Sequence, residues 1–534
     1  MSDFSLILTT LNSFILLYFF HTITNQLIKY FKISFSKYFF QILLFFLIIS
    51  FVSVLFQIIL ILDYKFFFSK KESLKILIIA IIYLNLAIKL INFRLNSIFN
   101  FLTIGIKNIW IYLFLIIFFL CSLGVVSDAD SLIYHSKVSK IILAGFQVNY
   151  FYDNPHYLLV GSYEIFNILP EILGISNFNT LLNSYFLLLF IKFVFEKFSV
   201  KKFNSELFIL LIISTPVISI ILTPQKSFFI PIIIQFLAFT FILYNKKFLK
   251  FEYFIVLSSF LVASTFKLNF VITSLLLFIF FIFNRQKFNR TKFIILCSTS
   301  IFVIYLIPHY IFKIVYFDNP FPPFLNSYLN TNTNNMFELF SEELKEWKRN
   351  SVIFPFSLFI NIFNGSFSSL HNSLGIGILS LFFIKRFNNP NLKIIILFLV
   401  SVLLFNFLLV QNTPRFYFLP LMISFLLILE ADLKKFYLLK KIIFLQYFFT
   451  ILALLFLAPT SLSTTFLNSQ DEEYKKKFIF RYAVNKKINE IVGENKFILI
   501  DLPNYYSKNY EISTMILSYI SNENELKKYK EHLN

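Results

Sequence analysis

Apolar runs of membrane-spanning length recur from one end of this chain to the other, and nothing else limits its folding so tightly. They cover 4–24, 39–62, 74–91 and 109–126, then 180–195, 207–222, 228–244, 253–265, 268–283 and 293–312. The last group is 373–383, 394–410, 416–429 and 442–457, while 354–363 is short enough to read as a re-entrant or interfacial helix. A spanning helix needs about 20 apolar residues, so the shorter runs extend by a few residues at their ends. In hydrocarbon the backbone must satisfy its own hydrogen bonds, which favours helices over open sheets. Composition agrees: 58% of residues are hydrophobic, 79 are Phe, and 14% are charged. A soluble domain is nearer half apolar and about a quarter charged. The expected fold class is an all-α polytopic membrane protein of about 13–14 transmembrane helices, with a small C-terminal α/β appendage.

A formal charge of +20 suits nucleic acid in a soluble protein. In a membrane protein, Lys and Arg mark cytoplasmic connections instead. Lys192, Lys197, Lys201 and Lys202 crowd one connection; Lys246, Lys247 and Lys250 crowd another. Arg285, Lys287, Arg290 and Lys292 follow, then Lys385 and Arg386, then Lys434, Lys435, Lys440 and Lys441. These connections alternate with 128–157, 223–226, the turn at Lys267, 316–350 and 412–415, which fall on the outer side together with the tail. Lys65, Lys70 and Lys71 break the pattern. The first run opens at Asp3 without a basic region or a small-residue cleavage site, so it reads as a retained span. Cys121 and Cys297 sit singly within apolar runs and suggest neither a disulfide framework nor a metal site. No phosphate-cradling glycine loop, tandem repeat or nucleic-acid motif stands out, which argues against nucleotide and nucleic-acid binding. Beyond Ser461 the sequence changes character: 470–492 is charged and helix-like, 497–500 strand-like, and 510–520 helical in pattern.

The stretch 127–164 follows one of the apolar runs and carries Asp128, Asp130, Tyr134, His135, Lys137, Lys140, Asp153, His156 and Glu164. Ionisable groups near bilayer depth are costly and tend to be kept for a purpose. Asp130 and Tyr134 are four residues apart, a spacing that puts both on one face of a helix. The suggestive polar residues all fall on the outer side of the alternation, whereas solvated loops would scatter them over both faces.

The run Asp130-Ser131-Leu132-Ile133-Tyr134-His135 resembles the Asp-x-Leu-x-Tyr-His element of bacterial membrane glycosyltransferases of the GT-C superfamily. Ser264-Thr265-Phe266-Lys267-Leu268-Asn269 is similar to their Lys-containing turn. Asp318-Asn319-Pro320-Phe321-Pro322-Pro323-Phe324-Leu325-Asn326 resembles their Gly-Asn-Pro-x-x-Pro-Phe loop. Ser373-Leu374-Gly375-Ile376-Gly377-Ile378-Leu379 and Pro414-Arg415-Phe416-Tyr417 are similar to two late elements, so the resemblance covers about 109–457. The chain departs from the pattern at Asp318, which replaces a Gly, at Lys226, where many relatives have an acid, and in the three runs before 109.

The resemblance implies a GT-C-like fold and transfer of a sugar from a polyprenyl-phosphate donor to a lipid, glycan or protein hydroxyl on the extracytoplasmic face of the cell membrane. It divides the chain into N-terminal helices (1–108), a catalytic membrane core (109–458) with outer loops 127–164 and 316–350, and an extracytoplasmic tail (459–534). Such chemistry needs a base at the acceptor and cations at the departing phosphate. Asp130 is the first choice for the base and Asp128 the second; Asp128 equally suits an orienting role or plain solvation. Lys267 and Arg415 suit phosphate contacts, or snorkelling at the interface. His135 suits a sugar or phosphate contact or a helix cap. His156 and Glu164 suit the acceptor side, although Glu164 equally suits water; Tyr134 and Asn319 shape the site. No cofactor is required, and although Asp and Glu can hold a divalent cation, no spacing demands one. A flippase or exporter of lipid-linked sugars, or a polysaccharide polymerase or ligase, are the alternatives.

Overall fold

The computed structural model describes residues 3–31, 35–62, 73–83, 108–123, 135, 137–143, 159–175, 178–198, 202–222, 228–245, 249–283, 291–322, 358–359, 373–386, 392–408, 413–430, 432–433, 436–462, 498–500 and 511–513. Helices α1 (Asp3–Tyr30), α2 (Lys37–Leu62) and α3 (Ser73–Tyr83) open the chain. Next come α4 (Ile109–Ser122) and three short helices, α5 (Lys137–Leu143), α6 (Ser162–Phe166) and α7 (Ile168–Ile172). The central series is α8 (Phe178–Lys197), α9 (Lys202–Ser214), α10 (Val217–Leu222), α11 (Phe229–Tyr244), α12 (Lys250–Ala263) and α13 (Asn269–Phe283). After α14 (Thr291–Ile301), a π-helical turn (Phe302–Leu306) leads into α15 (Ile307–Phe317). A 3-10 helix (Gly377–Phe383), β1 (Ile384–Arg386) and α16 (Leu392–Leu408) follow. A second 3-10 turn (Pro414–Tyr417) then leads through α17 (Phe418–Glu430) and β2 (Asp432–Leu433) to α18 (Phe436–Leu462). The tail contributes β3 (Ile498–Ile500) and β4 (Glu511–Ser513). Helix thus dominates. Three helices among the described residues are long and apolar enough to cross a membrane: Lys37–Leu62, Phe178–Lys197 and Phe293–Phe317.

The core is built around α2 and α8, and aromatic rings do much of the filling. Phe45 packs edge-on to Phe186 at 5.6 Å and against Tyr185 at 4.9 Å, and Phe190 packs edge-on to Phe236 at 5.5 Å. Edge-to-face and offset pairs of this kind add about 0.5–1.5 kcal/mol beyond the area they bury. The continuous helix made of α14, the π-helical turn and α15 is peripheral, and Ile295, Leu296, Val303, Ile311, Ile314 and Val315 stand exposed on it. A hydrocarbon phase covers such a face without cost, and water does not.

Several elements depart from the expectations above for local reasons. The run 207–222 is broken at Pro216, which lacks an N–H, and Val217 N–H turns instead to the Ser373 carbonyl at 2.9 Å. The run 373–383 is not an α-helical span but a 3-10 helix that passes into β1. Gly375 is left-handed (φ +66°) and presses on Gln446, while Gly377 N–H donates to Gln446 Oε1 at 2.5 Å. A left-handed residue stops a regular helix.

The run 293–312 continues further, to Phe317. Pro308 can give no hydrogen bond to the previous turn, and the π-helical turn just before it widens the helix to accept the ring. Asp318 ends the helix in a left-handed conformation (φ 52°). Glycine adopts that conformation freely and Asp tolerates it, so the helix can end on Asp318 without a glycine. In the tail, 511–513 is a strand rather than part of a helix, and it pairs in parallel with Ile498–Ile500. Its polar–apolar–polar order suits a strand with two unlike faces.

Polar connections gather where helices end. At one end, Ser36 caps α2 by accepting from Phe39 N–H at 3.3 Å and donates its own hydroxyl proton to Glu196. Glu196 also accepts from Lys37 N–H, and Glu252 accepts from Phe35 N–H at 3.2 Å. Lys197 Nζ lies 3.7 Å above the Phe35 ring. The starts of α2 and α12 and the finish of α8 therefore meet, with their basic residues close by.

Candidate functional site

Gly161 fixes the geometry of the second gathering point. It precedes α6, and a Cβ there would sit 2.1 Å from the Phe266 carbonyl oxygen. Only glycine allows this approach. The contact lets Ser162 N–H donate to the Thr265 carbonyl at 2.9 Å, and Ser162 Oγ donate to Thr265 Oγ1 at 2.8 Å. The segment before α6 is thereby laid against the turn that carries Lys267.

Glu164 is the third residue past Gly161, and its Oε2 reaches back to accept Gly161 N–H at 2.8 Å. Its other oxygen, Oε1, stands 2.6 Å from His135 Nδ1. Both side chains are buried, so the water-facing reading of Glu164 is corrected. The cause is the capping geometry, which turns the carboxylate back into the protein. The carboxyl and the imidazole are therefore hydrogen-bonded to each other. Asn167 donates from Nδ2 to the His135 carbonyl at 3.2 Å, and its Oδ1 accepts from Asn179 Nδ2 at 2.8 Å, so His135 is clamped by backbone as well as ring. Burial raises the Glu164 pKa above the ordinary carboxylate value; Lys267, the Gly161 N–H and Lys313 pull it part of the way back.

His309 and Lys313 are four residues apart on α15 and point the same way. They line a cleft together with Gly161, Thr265, Lys267 and Pro320. A hydrogen-bonded chain ties the wall together. Gln57 Nε2 lies 3.1 Å from His309 Nδ1 and 3.3 Å from Ser162 Oγ, and Ser53 donates to the Ser162 carbonyl at 2.6 Å. Helices α2, α6 and α15 thus hold one another around the cleft.

Lys267 and Arg415 lie far apart in sequence and meet over one ring. Lys267 Nζ is 3.9 Å and Arg415 Cζ 4.8 Å from the centroid of Phe228. An aromatic face attracts each cation and so offsets part of their repulsion. Asn319 is buried, and its Oδ1 accepts from Phe321 N–H at 2.8 Å, an Asx turn that shapes the proline loop. Phe321 in turn packs at a tilt against Tyr310 at 5.0 Å and lines the cleft with Pro320 and Pro322.

The structure thus brings together His135, Glu164 and Lys267, with Arg415 beside Lys267 and Asn319 next to the lining residue Pro320. Asp128, Asp130, Tyr134 and His156 lie outside the described residues. Sequence reasoning missed Gly161, Gln57, Phe228, His309 and Lys313. The pair at positions 309 and 313 was visible as two ionisable residues one turn apart at the edge of an apolar run. No group of three or more His, Cys, Asp or Glu suited to a metal is assembled among the described residues.

No curated protein and no solved structure matches the chain. Residues 58–462 match the DUF1420 N-terminal domain, a stretch whose last residue is also the last of α18. The chain belongs to the DUF1420 N-terminal domain family.

Proposed function

We propose that the protein is a polytopic membrane glycosyltransferase with a GT-C-like core, which moves a sugar from a polyprenyl-phosphate donor to a hydroxyl on the extracytoplasmic face. One observation carries this reading. Lys267, whose charge acts on the Glu164 of the buried His135–Glu164 pair, lines a cleft whose wall, α15, turns His309 and Lys313 inward and leaves Ile311, Ile314 and Val315 exposed outward. A lipid-linked anion needs that combination, cations within and an apolar flank for its tail. The resemblance of 130–135 to a glycosyltransferase element lends support, because that run ends on His135, whose partner Glu164 caps the segment at Gly161 that lines the cleft.

In the proposed reaction the acceptor oxygen bonds to the anomeric carbon while the bond from that carbon to the phosphate oxygen breaks. The acceptor proton passes to Asp130, with Asp128 as its neighbour, and the polyprenyl phosphate leaves as an anion. Lys267 and Arg415 stabilise its developing charge, and preorganised cations at such a position account for a large share of catalysis. Phe228 keeps the two cations close to each other.

The test is transfer from a polyprenyl-phosphate sugar in liposomes by wild-type protein and Asp130→Asn, with insertion and melting checked in both. Removal of a positioned base slows transfer by about two to four powers of ten. Wild-type transfer by Asp130→Asn removes that residue from the role. Movement of lipid-linked sugar across the bilayer without any transfer favours a carrier instead.

A further inference from the structure

His309 has no part in the reaction as drawn, yet the hydrogen bonds behind it fix what its ring can do. Thr265 donates its hydroxyl proton to the Val262 carbonyl at 2.8 Å, and Ser162 donates its own to Thr265 Oγ1 at 2.8 Å. Ser162 Oγ is then left as an acceptor only. Gln57, buried on α2, meets it with the nitrogen end of its amide at 3.3 Å, and the same Nε2 lies 3.1 Å from His309 Nδ1. Gln57 Oε1 has no hydrogen-bond partner among the described residues, so turning the amide round would strand both of its protons. Gln57 therefore donates to Ser162 and to the Nδ1 lone pair, and it bridges two acceptors that stand 3.4 Å apart. A neutral imidazole that accepts at Nδ1 carries its proton on Nε2. A second proton on Nδ1 would point at the Gln57 N–H. The ring itself lines the cleft, in company with Tyr310, Pro320, Phe321 and Pro322.

We propose that His309 is an uncharged hydrogen-bond donor of the cleft, its Nε2–H presented to a sugar hydroxyl and held there by Gln57 behind the ring. That the hydroxyl belongs to a sugar rests on the function proposed above; the place of the proton rests on the chain through Gln57. A sugar ring is polar at its edge and apolar on its C–H faces. Tyr310 and Phe321, whose rings meet at 5.0 Å, offer an apolar wall, and His309 offers the donor that fixes orientation. Small-molecule sites combine an aromatic lining with a few placed polar groups in this way. Gln57 acts through His309 and is a positioning residue.

The experiment reads the ring nitrogens of isotope-labelled histidine by NMR in the full chain in nanodiscs, His309 being the signal lost in His309→Gln. Wild type is expected to show a neutral ring with its proton on Nε2. A carboxylate in place of the Gln57 amide can only accept, so Gln57→Glu is expected to draw the proton to Nδ1. A wild-type proton on Nδ1, or an imidazolium, overturns the proposal. Where His309→Gln does not insert, His309 is the signal displaced by Gln57→Glu, and the absence of any displaced signal overturns the proposal equally. Methyl glucoside and methyl mannoside serve as sugar probes, and ethyl phosphate as the sugar-free anion. A glycoside is expected to shift the Nε2–H signal of His309, and His309→Leu to weaken its binding by about 3- to 10-fold, the effect of one neutral hydrogen bond. No shift with either glycoside, or a shift with ethyl phosphate alone, overturns the sugar. Sugar transfer measured in parallel separates the two readings. A glycoside shift in a protein that transfers no sugar keeps the subsite and removes the transferase, whereas transfer by a protein without a proton on His309 Nε2 does the reverse.

Discussion

His135 Nδ1 and Glu164 Oε1 stand 2.6 Å apart with both side chains buried, and the contact joins the chain just before α5 to the first turn of α6. It ties His135 to the segment at Gly161, which packs on the turn that carries Lys267. Neither residue is replaceable by packing alone, because each satisfies a polar partner that has no access to water.

Glu164→Ala strips partners from His135 and from Gly161 N–H in one step. Breaking one side of a buried ionic pair typically costs about 3–5 kcal/mol. We expect a clear drop in melting temperature in detergent, and a smaller one in Glu164→Gln, whose amide still accepts from Gly161. Equal melting in wild type and Glu164→Ala would mean that the pair does not hold α5 to α6.

Gly161→Ala tests the docking of α6 on the Lys267 turn. The added Cβ would meet the Phe266 carbonyl at 2.1 Å, and that neighbour is backbone, which cannot swing aside. Overpacking of this sort costs about 1–3 kcal/mol. A stability loss in that range is expected, together with a shift of Lys267 that weakens phosphate binding. A variant as stable and as tight-binding as wild type would show that the two segments separate freely.

Much of the frame was legible in the sequence. The apolar runs marked nearly every long helix, because a run of Phe, Ile and Leu has few other ways to bury itself. Lys267 and Arg415 were identifiable as single cations among apolar neighbours. The ring that unites them was not, since Phe228 is one of 79 phenylalanines and its role depends on three distant turns meeting. Gly161 was equally silent, for its importance lies in a carbonyl about a hundred residues away. Lys313 lies one residue beyond the run 293–312 and so outside the expected helix, whereas the helix continues to Phe317 and carries Lys313 to the cleft with His309. The errors at 207–222 and 373–383 share a cause: hydropathy measures apolarity, while Pro216 and Gly375 decide where a helix stops.

Phe228→Leu keeps the volume apolar but removes the ring shared by Lys267 and Arg415. A cation–π contact is worth about 0.5–1 kcal/mol when exposed and about 2 when desolvated. We expect stability to change little and affinity for dodecyl phosphate to fall several-fold as the two cations spread apart. Phe228→Tyr keeps the ring face and is expected to behave like wild type. Identical binding by the Leu and Tyr variants would leave Phe228 as simple filling.

The pH dependence of stability follows from the raised pKa of Glu164. Burial is the largest cause, with Lys267, the Gly161 N–H and Lys313 opposing it. A carboxyl that holds its proton more tightly when folded binds more protons in the native state than in the unfolded chain. Stability then falls as pH rises. The contribution of Glu164 is complete below its unfolded value of 4.5 and is lost as pH climbs through the raised folded value. Glu164→Gln has no proton to lose there. The melting temperature of wild type minus that of Glu164→Gln, measured in one detergent from below pH 4.5 upward, is therefore expected to decline with pH. A difference that rises over this window would mean that Lys267 and Lys313 outweigh burial and hold the folded carboxylate below its ordinary pKa. A flat difference would mean that the opposing effects cancel.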